Sequence, residues 1–307
     1  MDCANGLTFC AVSVKAHMSG KQLPRVVSHA EWEAAPQMDG STALRTVVGR
    51  VSGSLPTVAA LGRTQYKLQV VPEPPVSARE METSLRWALS ASNGAALEDC
   101  NLAWLPIPTA EQLPARPRQI YAVLTPTAEL TAQMAAWRES GLRPKVVDIR
   151  ETALRNLAAA LERPGEGLAL VSADAFGVSM VFTFQGALYL DRFIEQPLAE
   201  LRAAEGEART RMHERIAQQL LRSVDVISRN YPFITLLRVL VAPMPEDLGL
   251  QDYLADHVPQ QAPLQVLPLD LNEIFDLSRV PELADSSAMQ ARSLVALGAA
   301  LRSPRAA

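Results

Sequence analysis

The sequence predicts an α/β protein, and three observations carry that prediction. Strand-like and helix-like segments alternate along most of the chain. Residues 236–242, Leu-Leu-Arg-Val-Leu-Val-Ala, form a nearly continuous apolar run of strand length, as expected in a sheet covered on both faces. Residues 167–194 read as three short strands in succession, with a polar turn at 173–177 and a two-residue hairpin at Gln185-Gly186. A helix-like stretch ends just before that block, and a long helix follows it.

In chain order, residues 7–14 read as a strand, and a Ser19-Gly20-Lys21 turn leads to a second strand around 25–28. The pattern weakens between 33 and 64, where Gly, Ser and Pro are scattered. Residues 65–71 alternate as a strand does and are stopped by Pro72, Pro74 and Pro75, since proline removes a ladder donor. Ser77 and Glu80 form a capping box for a helix carrying Met81, Leu85, Trp87 and Leu89. Strands are expected at 101–107 and 119–124, separated by the proline-rich stretch 106–117. A helix over 127–140 is closed by Gly141 as its C′ residue. A strand at 144–149 and an alanine-rich helix at 151–163 then lead into the 167–194 block.

Beyond that block a helix ends near Asn230. Met212, Ile216, Leu220, Val224 and Ile227 step by four, four, four and three, so they share one face. The apolar strand at 236–242, a helix at 245–257, a strand at 264–267 and a helix at 286–302 complete the chain. No repeat of 20–50 residues and no low-complexity tract interrupts this order.

Composition narrows the class. The chain has 307 residues, 48% hydrophobic and 20% charged, enough for a large core and roughly two domains at about 150 residues each. The net charge of −4 supplies no overall basic field for nucleic acid or anionic lipid, although a local patch stays open. No apolar run approaches the roughly 18–20 residues that cross a bilayer. The start Met1-Asp2-Cys3-Ala4-Asn5 lacks the basic and apolar regions of a signal peptide, so a cytoplasmic location is expected. Cys3, Cys10 and Cys100 are too few and too scattered for a disulfide framework.

No strong catalytic motif is present: no phosphate-binding Gly-x-x-x-x-Gly-Lys-Ser/Thr loop, no His-Glu-x-x-His, no Gly-x-Ser-x-Gly and no Cys-x-x-Cys. His17, His29, His213 and His257 are dispersed, and no catalytic or metal set is assigned. Asp174, at the end of a buried strand beside Gly177 and Ser179, has two readings. It can hold Mg²⁺ through water while backbone N–H groups receive phosphate. It can equally cap a tight turn in which Gly177 supplies a positive φ. A working phosphate turn needs glycines beside the acid, whereas Ala173, Ala175 and Phe176 crowd this one. Asp148, near a strand end, reads as a helix cap or a cleft ligand, and Arg192 as an edge-exposed arginine or a partner for an anion. Gly298, inside an alanine-rich helix, permits close helix packing or approach to a nucleotide base.

Several blocks resemble one family. Ser140-Gly-Leu-Arg-Pro-Lys-Val-Val-Asp-Ile-Arg-Glu-Thr-Ala-Leu-Arg-Asn-Leu157 is similar to a strand-then-helix block of the PilM group of type IV pilus assembly proteins. Within that group the blocks most resemble the MshI-like proteins of mannose-sensitive haemagglutinin (MSHA) pili. Ala187-Leu-Tyr-Leu-Asp-Arg192, Leu248-Gly-Leu-Gln-Asp-Tyr-Leu254, the segment from Ile274 to Asp285 and the segment from Ala291 to Arg302 fit the same pattern, in the same order. Val71-Pro-Glu-Pro-Pro-Val-Ser-Ala-Arg-Glu-Met81, with Leu85-Arg-Trp87, resembles the group's inserted subdomain.

The resemblance implies a two-lobed actin-like fold of the FtsA/PilM type with an inserted small α+β subdomain. The first lobe would span 1–165, including the insertion at about 33–115, and the second 166–307. It also implies a cytoplasmic ring or platform component, peripheral to the inner membrane through its partners, that docks the cytoplasmic tail of an inner-membrane pilus protein. A homo-oligomer is open under that reading. Members of the group bind ATP with Mg²⁺ between the lobes, which makes Asp174, Gly177, Ser179 and Gly298 the candidate nucleotide-binding residues. Two departures bear on this: the turn at 173–177 is crowded, and the stretch before residue 7 leaves little room for a first strand with an Asp-x-Gly loop. The expectation is therefore a non-catalytic assembly component. The alternatives are an actin-like ATP-binding protein or ATPase, and a cytoplasmic platform component of type II secretion.

Overall fold

The computed structural model describes residues 2–3, 6–15, 22–34, 40–51, 56–93, 97–109 and 117–302. The expected Ser19–Lys21 turn and residues 110–116 of the proline-rich stretch lie outside them.

The second lobe is built on one five-stranded sheet. Strands β9 (Glu166–Ala173), β10 (Val178–Phe184) and β11 (Ala187–Ile194) run antiparallel. Strands β12 (Thr235–Val241) and β13 (Gln265–Pro268) add parallel to β9, giving the order β11-β10-β9-β12-β13. The residues of β10 are all buried, as are those of β9 after its first, which explains why both read as near-continuous apolar runs. Leu168, Leu170, Val181 and Phe182 anchor the main core, each worth about 1.5–3 kcal/mol of apolar burial. The β10–β11 hairpin turns at Gln185 and Gly186, both at positive φ (50° and 74°), the geometry that matches strand twist.

Between β11 and β12 lie a short helix α5 (Leu198–Ala203) and the long helix α6 (Gly206–Asn230). On α6, Ile216, Leu220 and Ile227 are buried, with Met212 and Val224 half-buried beside them, so the expected shared face is the packed one. Helix α7 spans Leu250–His257 and starts five residues later than the sequence pattern implies. Gly249, in the left-handed region at φ 72°, donates its N–H to Asp247 Oδ1 and ends an irregular, proline-containing loop before the helix begins. Helices α8 (Pro281–Asp285) and α9 (Ser287–Ala300) close the lobe, with Ser286 Oγ accepting from Met289 N at the N-cap of α9.

The first lobe follows a related plan. Its strands β1 (Asp2–Cys3), β2 (Gly6–Lys15) and β3 (Arg25–Ala34) form one antiparallel sheet. Helix α1 (Gly40–Arg50) then leads to β4 (Val58–Ala60), which pairs in parallel with β8 (Val146–Asp148). Helix α4 (Arg150–Ala160) follows β8. In the second lobe β9 joins the antiparallel hairpin to the parallel pair, whereas β2 and β4 belong to separate sheets among the described residues. The weak pattern between 33 and 64 thus hides an 11-residue helix and a 3-residue strand, the strand too short to leave a clear period.

Between β4 and β8 the chain builds a separate unit. Strands β5 (Lys67–Pro72), β6 (Cys100–Ile107) and β7 (Gln119–Pro126) form an antiparallel sheet in the order β5-β7-β6. Helix α2 (Met81–Asn93) covers one face through Met81, Leu85 and Leu89 against Val71, Ile120, Ala122 and Leu124. Helix α3 (Thr127–Glu139) returns the chain to the first lobe, where Trp137 packs with Leu44 and Leu61. Among the described residues no helix is long and apolar enough to cross a membrane.

The lobes are tied by exchanged helices. Helix α4, from the first lobe, lies against β9, β10 and β11 of the second, while α9, from the second, lies against β2 and β4 of the first. The two helices meet at Gly298, where a Cβ would sit 2.2 Å from the carbonyl oxygen of Ala153. Asn156 Nδ2 donates to the Gly298 carbonyl oxygen at 2.9 Å, fixing the same crossing. A Gly298→Leu substitution must push the two helices apart, and it is expected to cost at least about 2 kcal/mol of overpacking. Urea unfolding checks this; an unchanged midpoint would show that the crossing is not close-packed.

Candidate functional site

The turn joining β9 to β10 lies where α4 enters the protein, so residues of both lobes converge on it. Its carboxylate is already in use. Asp174 Oδ1 accepts from the backbone N–H groups of Phe176 and Gly177 at 2.9 and 3.1 Å, and Asp174 N donates to Gly177 O at 2.9 Å. The turn therefore closes on its own acid side chain. Gly177 is required by contact, since a Cβ there would lie 2.2 Å from Ile194 O.

The other carboxylate oxygen is held by an arginine that sequence reasoning missed. Arg150, the first residue of α4, donates from Nη1 to Asp174 Oδ2 at 2.5 Å, from Nε to Ser179 Oγ at 3.0 Å and from Nη2 to Ser172 Oγ at 3.0 Å. Its side chain is only 9% exposed. A cation at a helix N-terminus opposes the helix dipole, so this one needs the acid and hydroxyls that surround it. Ser179, a nucleotide-binding candidate, thus serves as an acceptor for Arg150, together with Ser172. The signal in the sequence is the pair Arg150-Glu151, two charges opening a helix whose first five residues are all buried.

Neighbouring polar groups complete the α4 entrance. Glu151, 1% exposed, accepts the Tyr66 hydroxyl proton at 2.5 Å, and Arg63 Nε lies 3.8 Å from its other oxygen. Burial and the adjacent carboxylate push the Tyr66 hydroxyl far above its ordinary range, so it stays a donor. Asp148 lies one residue before the N-cap of α4: its Oδ1 accepts from Ile149 N at 2.9 Å and from Thr152 Oγ1, and pairs with Arg302 Nη1 at 2.8 Å. Gly298 faces Ala153 at the helix crossing, and Arg192 is exposed on β11.

Other polar features lie elsewhere. His29 Nε2 and Ser293 Oγ are 2.8 Å apart, with Cys10 Sγ 3.3 Å from the same hydroxyl, so the three pin α9 to the β2–β3 hairpin. Burial pushes the Cys10 thiol up to about 11 and lowers the His29 imidazole, which leaves both neutral near pH 7. An open pocket of about 430 Å³ between α6 and α7 gathers Arg209, His213, Asp247 and Asp256, a mixed charge set. Among the described residues no group of three or more His, Cys, Asp or Glu side chains is placed to hold a metal ion.

No protein-family model matches the sequence, and no curated protein matches it. Solved structures do. The chain is similar to the PilM-PilN type IV pilus biogenesis complex at 17% identity and a TM-score of 0.73, over 97% of this chain and 96% of that one. It is also similar to the cytoplasmic domain of EpsL, an inner-membrane component of the type II secretion system of Vibrio cholerae, at 15% identity and a TM-score of 0.44, over 78% and 84%. A Bacteroides thetaiotaomicron protein with an actin-like ATPase fold gives 12% identity and a TM-score of 0.44, over 87% and 93%. The last two likenesses are too loose to carry an argument.

Removing the Arg150 guanidinium leaves Ser172, Ser179 and a partly buried Asp174 without their donor. Arg150→Ala is expected to cost about 2–4 kcal/mol, at the low side of a broken buried pair because Asp174 is partly solvated. Arg150→Lys should recover only part of this, having lost the fork geometry. Chemical denaturation of the three proteins tests the order; equal stability of all three would contradict it. At these identities the first likeness fixes the fold: the chain has a two-lobed actin-like fold of the PilM kind.

Proposed function

We propose that this protein is a non-catalytic assembly component of a type IV pilus machine of the MSHA-like kind. It docks the cytoplasmic tail of an inner-membrane pilus protein on its inserted subdomain, in the groove beside the main lobe. The observation that carries this reading is where apolar surface is left uncovered. Of the six large hydrophobic side chains exposed among the described residues, Val70, Val76, Trp87 and Trp104 belong to the inserted unit. Trp87 is 78% exposed and Trp104 39%, on α2 and on the edge strand β6. Exposed tryptophans are enriched among the anchors of protein interfaces.

The non-catalytic part of the reading is supported by the turn at Asp174. The N–H groups that would receive phosphate are engaged by the Asp174 side chain, and its other oxygen is engaged by Arg150. The whole-chain likeness to a PilM-PilN complex supports a pilus partner over other uses of this fold. The protein itself would lie in the cytoplasm, at the inner membrane through its partner.

Immobilised cytoplasmic-tail peptides of pilus inner-membrane proteins should retain the protein equally with and without Mg·ATP. Trp87→Ala and Trp104→Ala together should weaken that retention at least about tenfold, as loss of an aromatic anchor does. Retention only when Mg·ATP is added would favour an actin-like ATP-binding protein instead. Retention by a secretion-platform partner alone would favour type II secretion.

A further inference from the structure

Although the chain carries a net charge of −4, one end of its first lobe gathers exposed cations. Arg45 and Arg50 lie on α1, Arg138 on the last turn of α3, and Arg143 and Lys145 on the loop that leads to β8. Packing brings these segments together. Helix α1 lies against α3, and Val48 of α1, Trp137 of α3 and Leu142 of the loop share one core. Lys145 N donates to Thr57 O at 2.9 Å, which ties the loop to the link between α1 and β4.

The loop turns its charges outward. Gly141, at φ 90°, ends α3, and Leu142 N donates to Trp137 O at 2.8 Å. Exposure then alternates through residues 141–146, with Leu142, Pro144 and Val146 the less exposed, so Arg143 and Lys145 share the solvent face. Arg50 lies over the Trp32 ring, 5.5 Å from its centre. None of these cations forms a salt bridge among the described residues. Glu139 is the sole acid in α1, the last turn of α3 and residues 140–145. Glu129 opens α3, about 13 Å along the axis from Arg138 and beyond one screening length.

The helix dipole accounts for Arg50 and Arg138, which sit in last turns, and its reach ends there. Arg45, Arg143 and Lys145 lie outside it. None of the large hydrophobic side chains exposed among the described residues belongs to α1, α3 or the loop, so this end lacks the apolar anchors of a protein interface. The one aromatic side chain of these segments, Trp137, is buried, which leaves no platform for stacking a nucleic-acid base. Recognition of charge alone fits a surface of phosphate headgroups.

We propose that this end of the first lobe is a peripheral docking face for an anionic lipid bilayer, held by Arg45, Arg50, Arg138, Arg143 and Lys145. The basic face is drawn to the headgroups while the acidic remainder of the chain is repelled, which sets one orientation at the membrane. Each cation brought to such a surface strengthens binding about fivefold. Attachment is therefore reversible and salt-sensitive, and it is separate from docking of a partner's tail on the inserted subdomain.

Vesicle sedimentation of the whole chain, with no partner peptide present, tests the face. The protein should pellet with vesicles of phosphatidylglycerol and phosphatidylcholine mixed about one to two, and not with phosphatidylcholine alone. Raising the salt to about 0.5 M should release it. Arg138→Ala, Arg143→Ala and Lys145→Ala together should weaken the binding at least about tenfold. Arg211→Ala, Arg215→Ala and Arg222→Ala, all exposed on α6, should leave it within about twofold. No binding to the anionic vesicles, equal binding to both kinds, or equal losses in the two variants overturns the proposal. Tighter binding to a short DNA duplex at the same salt overturns it as well, by assigning the face to nucleic acid.

Discussion

The Arg150 guanidinium is the constraint on which the rest of the site depends. It begins a helix of the first lobe, yet its three acceptors belong to the second lobe, on strands β9 and β10 and the turn between them. A buried cation at the positive end of a helix is unfavourable until an acid meets it. Asp174 is that acid. The same guanidinium that fastens α4 across the sheet thus engages the Asp174 carboxylate. Attachment of α4 and closure of the turn at Asp174 meet in one carboxylate.

The helices reinforce the arrangement from both sides. Asp148 accepts from Ile149 N at the start of α4 and draws in Arg302 from beyond α9, while Gly298 lets α9 approach the Ala153 backbone. Polar pairs and close packing therefore act on the same crossing. Moving one lobe against the other would break several of these contacts together, which makes the main body the rigid part of the protein. The inserted unit differs. It meets the main body through Tyr66, Tyr121 and Ile107, and it carries four of the six exposed large hydrophobic side chains among the described residues.

Much of this was legible in the sequence where burial imposes a strong pattern. The 167–194 block and the strand at 236–242 read correctly because burial makes them near-continuous apolar runs, and the long helix because its buried residues recur on one face. Gly298 was open to the packing role because glycine inside an alanine-rich helix has few other uses. The crowding of Asp174 by Ala173, Ala175 and Phe176 was visible as well. Arg150 was not: its acceptors lie 22 to 29 residues away, a distance that local pattern cannot bridge. Helix α1 and strand β4 were missed because a three-residue strand has no period to detect, and the start of α7 because a left-handed glycine sets it.

The central claim is that the turn at Asp174 is closed by the protein's own side chains. It is tested most directly by following the backbone amides of Phe176 and Gly177 in nuclear magnetic resonance spectra while Mg·ATP is added to millimolar concentration. The account predicts that both signals stay in place, since their N–H groups remain on Asp174. Saturable shifts of these two amides, lost on Arg150-retaining substitution of Asp174 by alanine, would contradict it.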